Sequence, residues 1–176
     1  MNRIEFSFKN ESERKLAEQI GSVTYLDCLT CGSSIDPYKL RSRLLPPLRL
    51  QQIKIFYHQN RHFPIGYVTW AFLAPDVERR LLEDPTSELH LSEWNEGTDV
   101  WIMDLVAPGY CIEIVHHIKQ QMFLEHNAVH WLPRRDRSAG KARAWLRDKR
   151  AGFCRVGDEA ALVGETVASK RFTICI

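Results

Sequence analysis

The run "DVWIMDLVAP", residues 99 to 108, constrains this chain more than any other stretch. It is nearly all apolar, Pro108 closes it, and its length suits a strand buried on both faces of a sheet rather than a half-exposed one. One carboxylate, Asp104, interrupts it. Ionised carboxylates are seldom buried without a partner, because desolvating the charge is expensive. Asp104 is therefore either a structural acid, held by a turn or an arginine, or a functional one. Its place near the carboxyl end of the strand, just before the loop "VAPGY", is where sites gather in open α/β sheets.

The surrounding pattern gives that strand its context. Residues 11–20 read as a short helix stopping at Gly21. The leucines of residues 36–52 fall near helical spacing, but Pro46-Pro47 should end or kink that helix. "IKIFYH" and "IGYVTWAFL", separated by polar residues, form a hairpin pattern. "DVERRLLED" predicts a helix. "CIEIVHHIKQQMFLEH" places Ile112, Val115, Ile118 and Met122 on one helical face, and "AVHWL" and "ARAWLR" read as further strands. Hairpin, helix, strand, helix, strand is an α/β order, with helices covering a mixed central sheet. At 176 residues the expectation is a single domain over 1–176, with residues 153–176 unassigned.

Composition excludes several classes. A content of 44% hydrophobic and 26% charged residues is that of a globular protein, and a formal charge of +2 creates no global attraction to nucleic acid. No apolar run reaches the roughly 18 residues of a membrane span. The polar N-terminus does not read as an export signal, so the expected compartment is the cytoplasm, where the five cysteines would be thiols. Cys28 and Cys31 form a C-x-x-C with no second pair, and no metal site is expected. The marked local charge lies in residues 134–150, where Arg134, Arg135 and Arg137 begin a basic segment suited to an acidic protein partner. The same segment allows a rival reading, a basic binding module without chemistry. Missing interleaved aromatics argue against nucleic acid.

Two stretches together, "PIGYVTWAFL" and "WNEGTDVWIMDLVAP", resemble the RTX toxin-activating lysine acyltransferases. That family carries a hairpin strand of type P-V-A-Y-C-S-W and a strand of type G-D-R-x-W-x-I-D-W-I-A-P. Pro64, Tyr67, Trp70, Gly97, Trp101, Asp104, Ala107 and Pro108 keep the pattern, and weaker likeness extends it over about 19–152. The resemblance implies a fold similar to the GCN5-type N-acetyltransferases, no bound cofactor, and transfer of a fatty acyl group from acyl carrier protein to a protein toxin. The loop "VAPGYC" agrees in lacking a Gly-rich pyrophosphate cradle. It implies a catalytic role for Asp104 and, on the basic segment, a dock for acyl carrier protein. Trp70 and Trp101 become candidates to line an acyl channel.

One element of the family pattern is absent. Its histidine base aligns with Ser33, and no histidine precedes His58. His58 or His62 of the hairpin turn could substitute, or Cys31 could act as nucleophile or acyl carrier. The alternative is a divergent task, such as maturation of a siderophore-type peptide toxin (a microcin), carried out with a partner subunit or as a homodimer.

Overall fold

The computed structural model describes residues 11–31, 37–84, 87–131, 143–148 and 152–156; for Cys31, Lys39 and the last two strands the description is of the backbone. A long helix, α1 (Glu11–Cys31), is followed by a short α2 (Pro37–Lys39), a π-helical turn (Leu40–Leu44) and α3 (Leu45–Arg49). The hairpin is β1 (Ile53–Tyr57) and β2 (Pro64–Leu73). Then come α4 (Pro75–Glu83), a 3-10 turn (Ser92–Trp94), β3 (Asp99–Val106) and α5 (Cys111–Gln121), with β4 (Ala128–Trp131), β5 (Arg143–Asp148) and β6 (Gly152–Val156) at the end.

The strands form one sheet in the order β1-β2-β3-β4-β5-β6. All neighbours run antiparallel except β3 and β4, which are parallel and joined by the crossover helix α5. This mixed sheet with helices on both faces is the α/β, GCN5-type N-acetyltransferase-like arrangement. One face carries Val68, Val100, Ile102 and Val129 against Ile114, Val115 and Ile118 of α5. On the other face lie two apolar clusters. The first joins Val23 and Leu26 of α1, Leu44 and Leu48 to Tyr67 and Val106. The second joins Val77 and Leu81 of α4 and Trp94 to Ala71, Leu73 and Trp101.

Two local expectations change. Helix α1 does not stop at Gly21 but runs on to Cys31. Glycine inside a helix costs about 1 kcal/mol relative to alanine. Beyond it Val23 and Leu26 are fully buried, and each such side chain contributes roughly 1.5–3 kcal/mol, so burial wins. As expected of Pro46-Pro47, the α-helical run of this segment is interrupted just before them, by the π-helical turn, and they occupy the first turn of α3. On α5 the buried stripe is Ile114, Val115 and Ile118, while Ile112 is 82% exposed. Both series fit a 3.6-residue period, and contact with β3 and β4 selects the observed one. Strand β6 extends the sheet beyond the strands read from the sequence.

Gly97 is required by a close approach. The N–H groups of Glu96 and Gly97 both donate to the carbonyl of Phe72, drawing this segment onto the end of β2. A Cβ on Gly97 would lie 1.7 Å from the Leu73 carbonyl oxygen and 2.5 Å from the Ala74 nitrogen. Those atoms are backbone and cannot step aside. Gly97→Ala is expected to destabilise the fold by about 3 kcal/mol or more. Gly21→Ala, where an added Cβ meets nothing within 4 Å, should stabilise it by up to about 1 kcal/mol. Urea unfolding of the two variants checks both signs.

Candidate active site on the inner face of β3

Asp104 is 3% exposed, near the carboxyl end of β3. Its cross-strand partner on β2 is Thr69, and the flanking pairs are Tyr67 with Val106 and Ala71 with Trp101. Thr69 pairs with Asp104 but Trp70 pairs with Ile102, so Met103 is an extra residue, a β-bulge. Strict alternation would put Asp104 with Ile102, on the α5 face. Past the bulge the order is reversed: Leu105 packs on the α5 cluster and Val106 joins Tyr67 on the α1 face. The bulge thus re-aims Asp104 towards α1, a use bulges often have beside functional sites.

On that face Asp104 and Thr69 form a polar row between the two apolar clusters, Tyr67–Val106 on one side and Ala71–Trp101 on the other. Helix α1 approaches this row with its C-terminal half. The Tyr67 hydroxyl donates to the Asp27 carboxylate at 2.7 Å, while Val23 and Leu26 pack on Tyr67 and Val106. Cys31 ends the helix four residues later, about 6 Å along the axis. The parallel pairing of β3 with β4 covers only Val100–Ile102, so Asp104 lies beyond its last rung.

The two tryptophans part company. Trp101 is 1% exposed and its indole N–H donates to Glu78 of α4 at 2.9 Å. Its ring stacks on that of His130, with centroids 5.1 Å apart. Trp70 lies on the α5 face, edge-on to Phe123 at 5.3 Å. A channel lined by both is therefore not formed, because the sheet separates them. His58 and His62 belong to the hairpin turn beyond the Tyr57–Pro64 pair, about 17 Å along β2 from Thr69. His58 stacks on Phe63, and its Nδ1 accepts the Asn60 N–H at 3.2 Å. Neither histidine is brought to Asp104. Cys111, at the start of α5, is no ready thiolate: burial, then the charge of Glu113, pushes its thiol pKa up.

Ser33 lies outside the described residues, as do Arg134, Arg135 and Arg137. Among the described residues no group of three His, Cys, Asp or Glu side chains could hold a metal ion, and no helix is long and apolar enough to cross a membrane. Thr69 is a site-face residue that sequence reasoning passed over, and Tyr67, noted there as a motif position, was given no role. A threonine inside an apolar strand carries no signal until its cross-strand neighbour is known.

Comparison with known proteins gives the family. Residues 15–145 match the model of the RTX toxin acyltransferase family. The lysine-acyltransferase RtxC of Vibrio cholerae is 30% identical over 83 residues, 47% of this chain and 53% of the relative. The RTX-II toxin-activating lysine-acyltransferase ApxIIC of Actinobacillus pleuropneumoniae is 38% identical over 83 residues, 47% of this chain and 50% of that protein. The protein-lysine myristoyltransferase HlyC of Escherichia coli is 34% identical over 65 residues, 37% of this chain and 36% of its own. The chain thus spans about half or less of the length of these curated relatives. With most of its length inside the family match, the chain belongs to the RTX toxin acyltransferase family.

Proposed function

We propose that this chain transfers a fatty acyl group from acyl carrier protein to a protein or peptide toxin in the cytoplasm, with Asp104 in the reacting site. The observation that carries the reading is a buried carboxylate which a bulge turns onto the face where α1 ends. The family match and the activities for which the relatives are named support the reaction class. Transfer breaks the thioester of the carrier and joins the acyl carbon to a nucleophile of the toxin, and the carrier thiol takes the proton. A lysine amine, near pKa 10.4, must first lose a proton, which calls for a base within hydrogen-bond reach. In this reading Asp104 holds or steers that base.

The segment that would supply the base holds Cys31 and Ser33 instead of a histidine. This favours, as a second reading, a toxin acceptor other than lysine, as in microcin maturation, with a partner subunit completing the site. A cysteine can accept an acyl group from a thioester at little energetic cost, since one thioester replaces another. Basic residues Arg134, Arg135 and Arg137 fit the acidic surface of a carrier protein.

Asp104→Asn preserves shape and removes the charge. It should leave the protein folded and lower transfer by about 100-fold or more. The check is the intact mass of a toxin polypeptide from the same gene neighbourhood, expressed with each variant. Full transfer by a folded Asn variant would sink the catalytic role. Cys31→Ala should remove an acyl adduct that hydroxylamine reverses, whereas Ser33→Ala should not; an unchanged adduct excludes the cysteine route. Replacing Arg134, Arg135 and Arg137 by Glu should weaken binding of acyl carrier protein, and binding by the parent should fall as salt rises. Salt-insensitive binding, or none at low salt, speaks against the dock.

A further inference from the structure

Several buried polar atoms lack a partner among the described residues, and three of them lie on β2 or beside the loop that closes on it. Gln52 Oε1 and Trp94 Nε1 belong to a clamp, because Gln52 Nε2 donates to the Trp94 carbonyl at 3.2 Å and to Asn95 Oδ1 at 3.1 Å. The Gln52 side chain thus serves the junction between β1 and the 3-10 turn, and the Trp94 ring fills the cluster under α4. Thr69 serves no such contact. It is fully buried, its hydroxyl has no partner among the described residues, and the residue directly across from it is Asp104.

A buried hydroxyl without a hydrogen bond opposes folding, and valine would fill the same space without that cost. The strand around it is otherwise Tyr67, Val68, Trp70 and Ala71, so an apolar residue would suit the site. Directly paired residues of an antiparallel sheet hold their Cβ atoms about 4.5–5.5 Å apart. At that spacing a threonine hydroxyl and an aspartate carboxylate on the same face are short enough side chains to meet.

We infer that Thr69 is a positioning residue of the acyltransferase site, its hydroxyl donating a hydrogen bond to the Asp104 carboxylate in the working state. This rests on the proposed role of Asp104. The bond would favour the ionised form of the acid and fix the direction of its second oxygen. Among the described residues the other titratable groups near this row are Tyr67 on β2 and Asp27 on α1, bonded to each other, Glu78 on α4, bonded to Trp101, and His130 on β4, stacked on Trp101. None of these contacts involves the Thr69 side chain, and the Thr69→Ser variant separates an effect of the hydroxyl from one of repacking.

The experiment compares the full chain with its Thr69→Val and Thr69→Ser variants. Three quantities are read: unfolding midpoint in urea, titration of the Asp104 carboxyl by carbon NMR of aspartate-labelled protein, and acyl transfer from myristoyl-acyl carrier protein. Thr69→Val should be at least as stable as the parent, titrate Asp104 at higher pH, and lose transfer by about tenfold or more. Thr69→Ser should restore the titration and most of the transfer. An Asp104 titration that Thr69→Val leaves unmoved overturns the inference, whatever becomes of the acyltransferase reading. A Thr69→Val protein clearly less stable than the parent also overturns it, because the hydroxyl would then serve the fold. If the titration moves as expected but Asp104→Asn transfers normally, the proposed function fails while the hydrogen bond stands.

Discussion

The extra residue at Met103 decides which side of the sheet Asp104 occupies, and much else in the molecule depends on that choice. An apolar strand covered on both faces can hold a carboxylate only where polar groups meet it. On the α5 face the neighbours would be Ile114, Val115 and Ile118, which offer none. On the α1 face the bulge sets Asp104 beside Thr69, in a row between two apolar clusters that each seal one flank. The same one-residue shift keeps Val106 with Tyr67 and Leu105 with α5, so the core stays continuous on both sides.

Keeping that row in place falls to the ends of the central strands. The N–H groups of Glu96 and Gly97 close on the Phe72 carbonyl, and Trp101 ties β3 to α4 through Glu78. On the other flank Tyr67 reaches Asp27, which locks the C-terminal half of α1 over the sheet. Arg80 of α4 donates to Glu93 at 2.6 Å, and this hydrogen bond, helped by one from the His90 N–H, holds that carboxyl below the usual range against the opposing effect of burial. The contact therefore favours the fold at neutral pH and is lost as pH falls through the lowered value. Aromatic bodies with polar tips thus fix the helices while their rings fill the core.

The family assignment and this geometry meet at the same strands. The motif residues Tyr67, Trp70, Gly97, Trp101 and Asp104 prove to have different jobs. Trp101 is core, Gly97 permits a backbone crossing, and Tyr67 anchors α1. Asp104 is the one carboxylate among them, and it is buried. A motif is a composite of folding and function, and physical placement separates the two.

Period and composition were enough to determine the class of this protein. The hairpin, the buried strand at 99–108, the crossover helix and the position of Asp104 near a strand's carboxyl end all follow from local residue patterns, because burial imposes its period on the chain. Three things were decided elsewhere. The length of α1 depended on Val23 and Leu26 finding Tyr67 and Val106, which outweighs the cost of Gly21. The face of Asp104 depended on a bulge, and a bulge is a relation between two strands with no signature in either. The partnership of Asp104 with Thr69, and the separation of Trp70 from Trp101, likewise exist only once register is set. Residues 35 positions apart in the chain become neighbours through sheet hydrogen bonds, and a pattern read along one strand contains no information about the other.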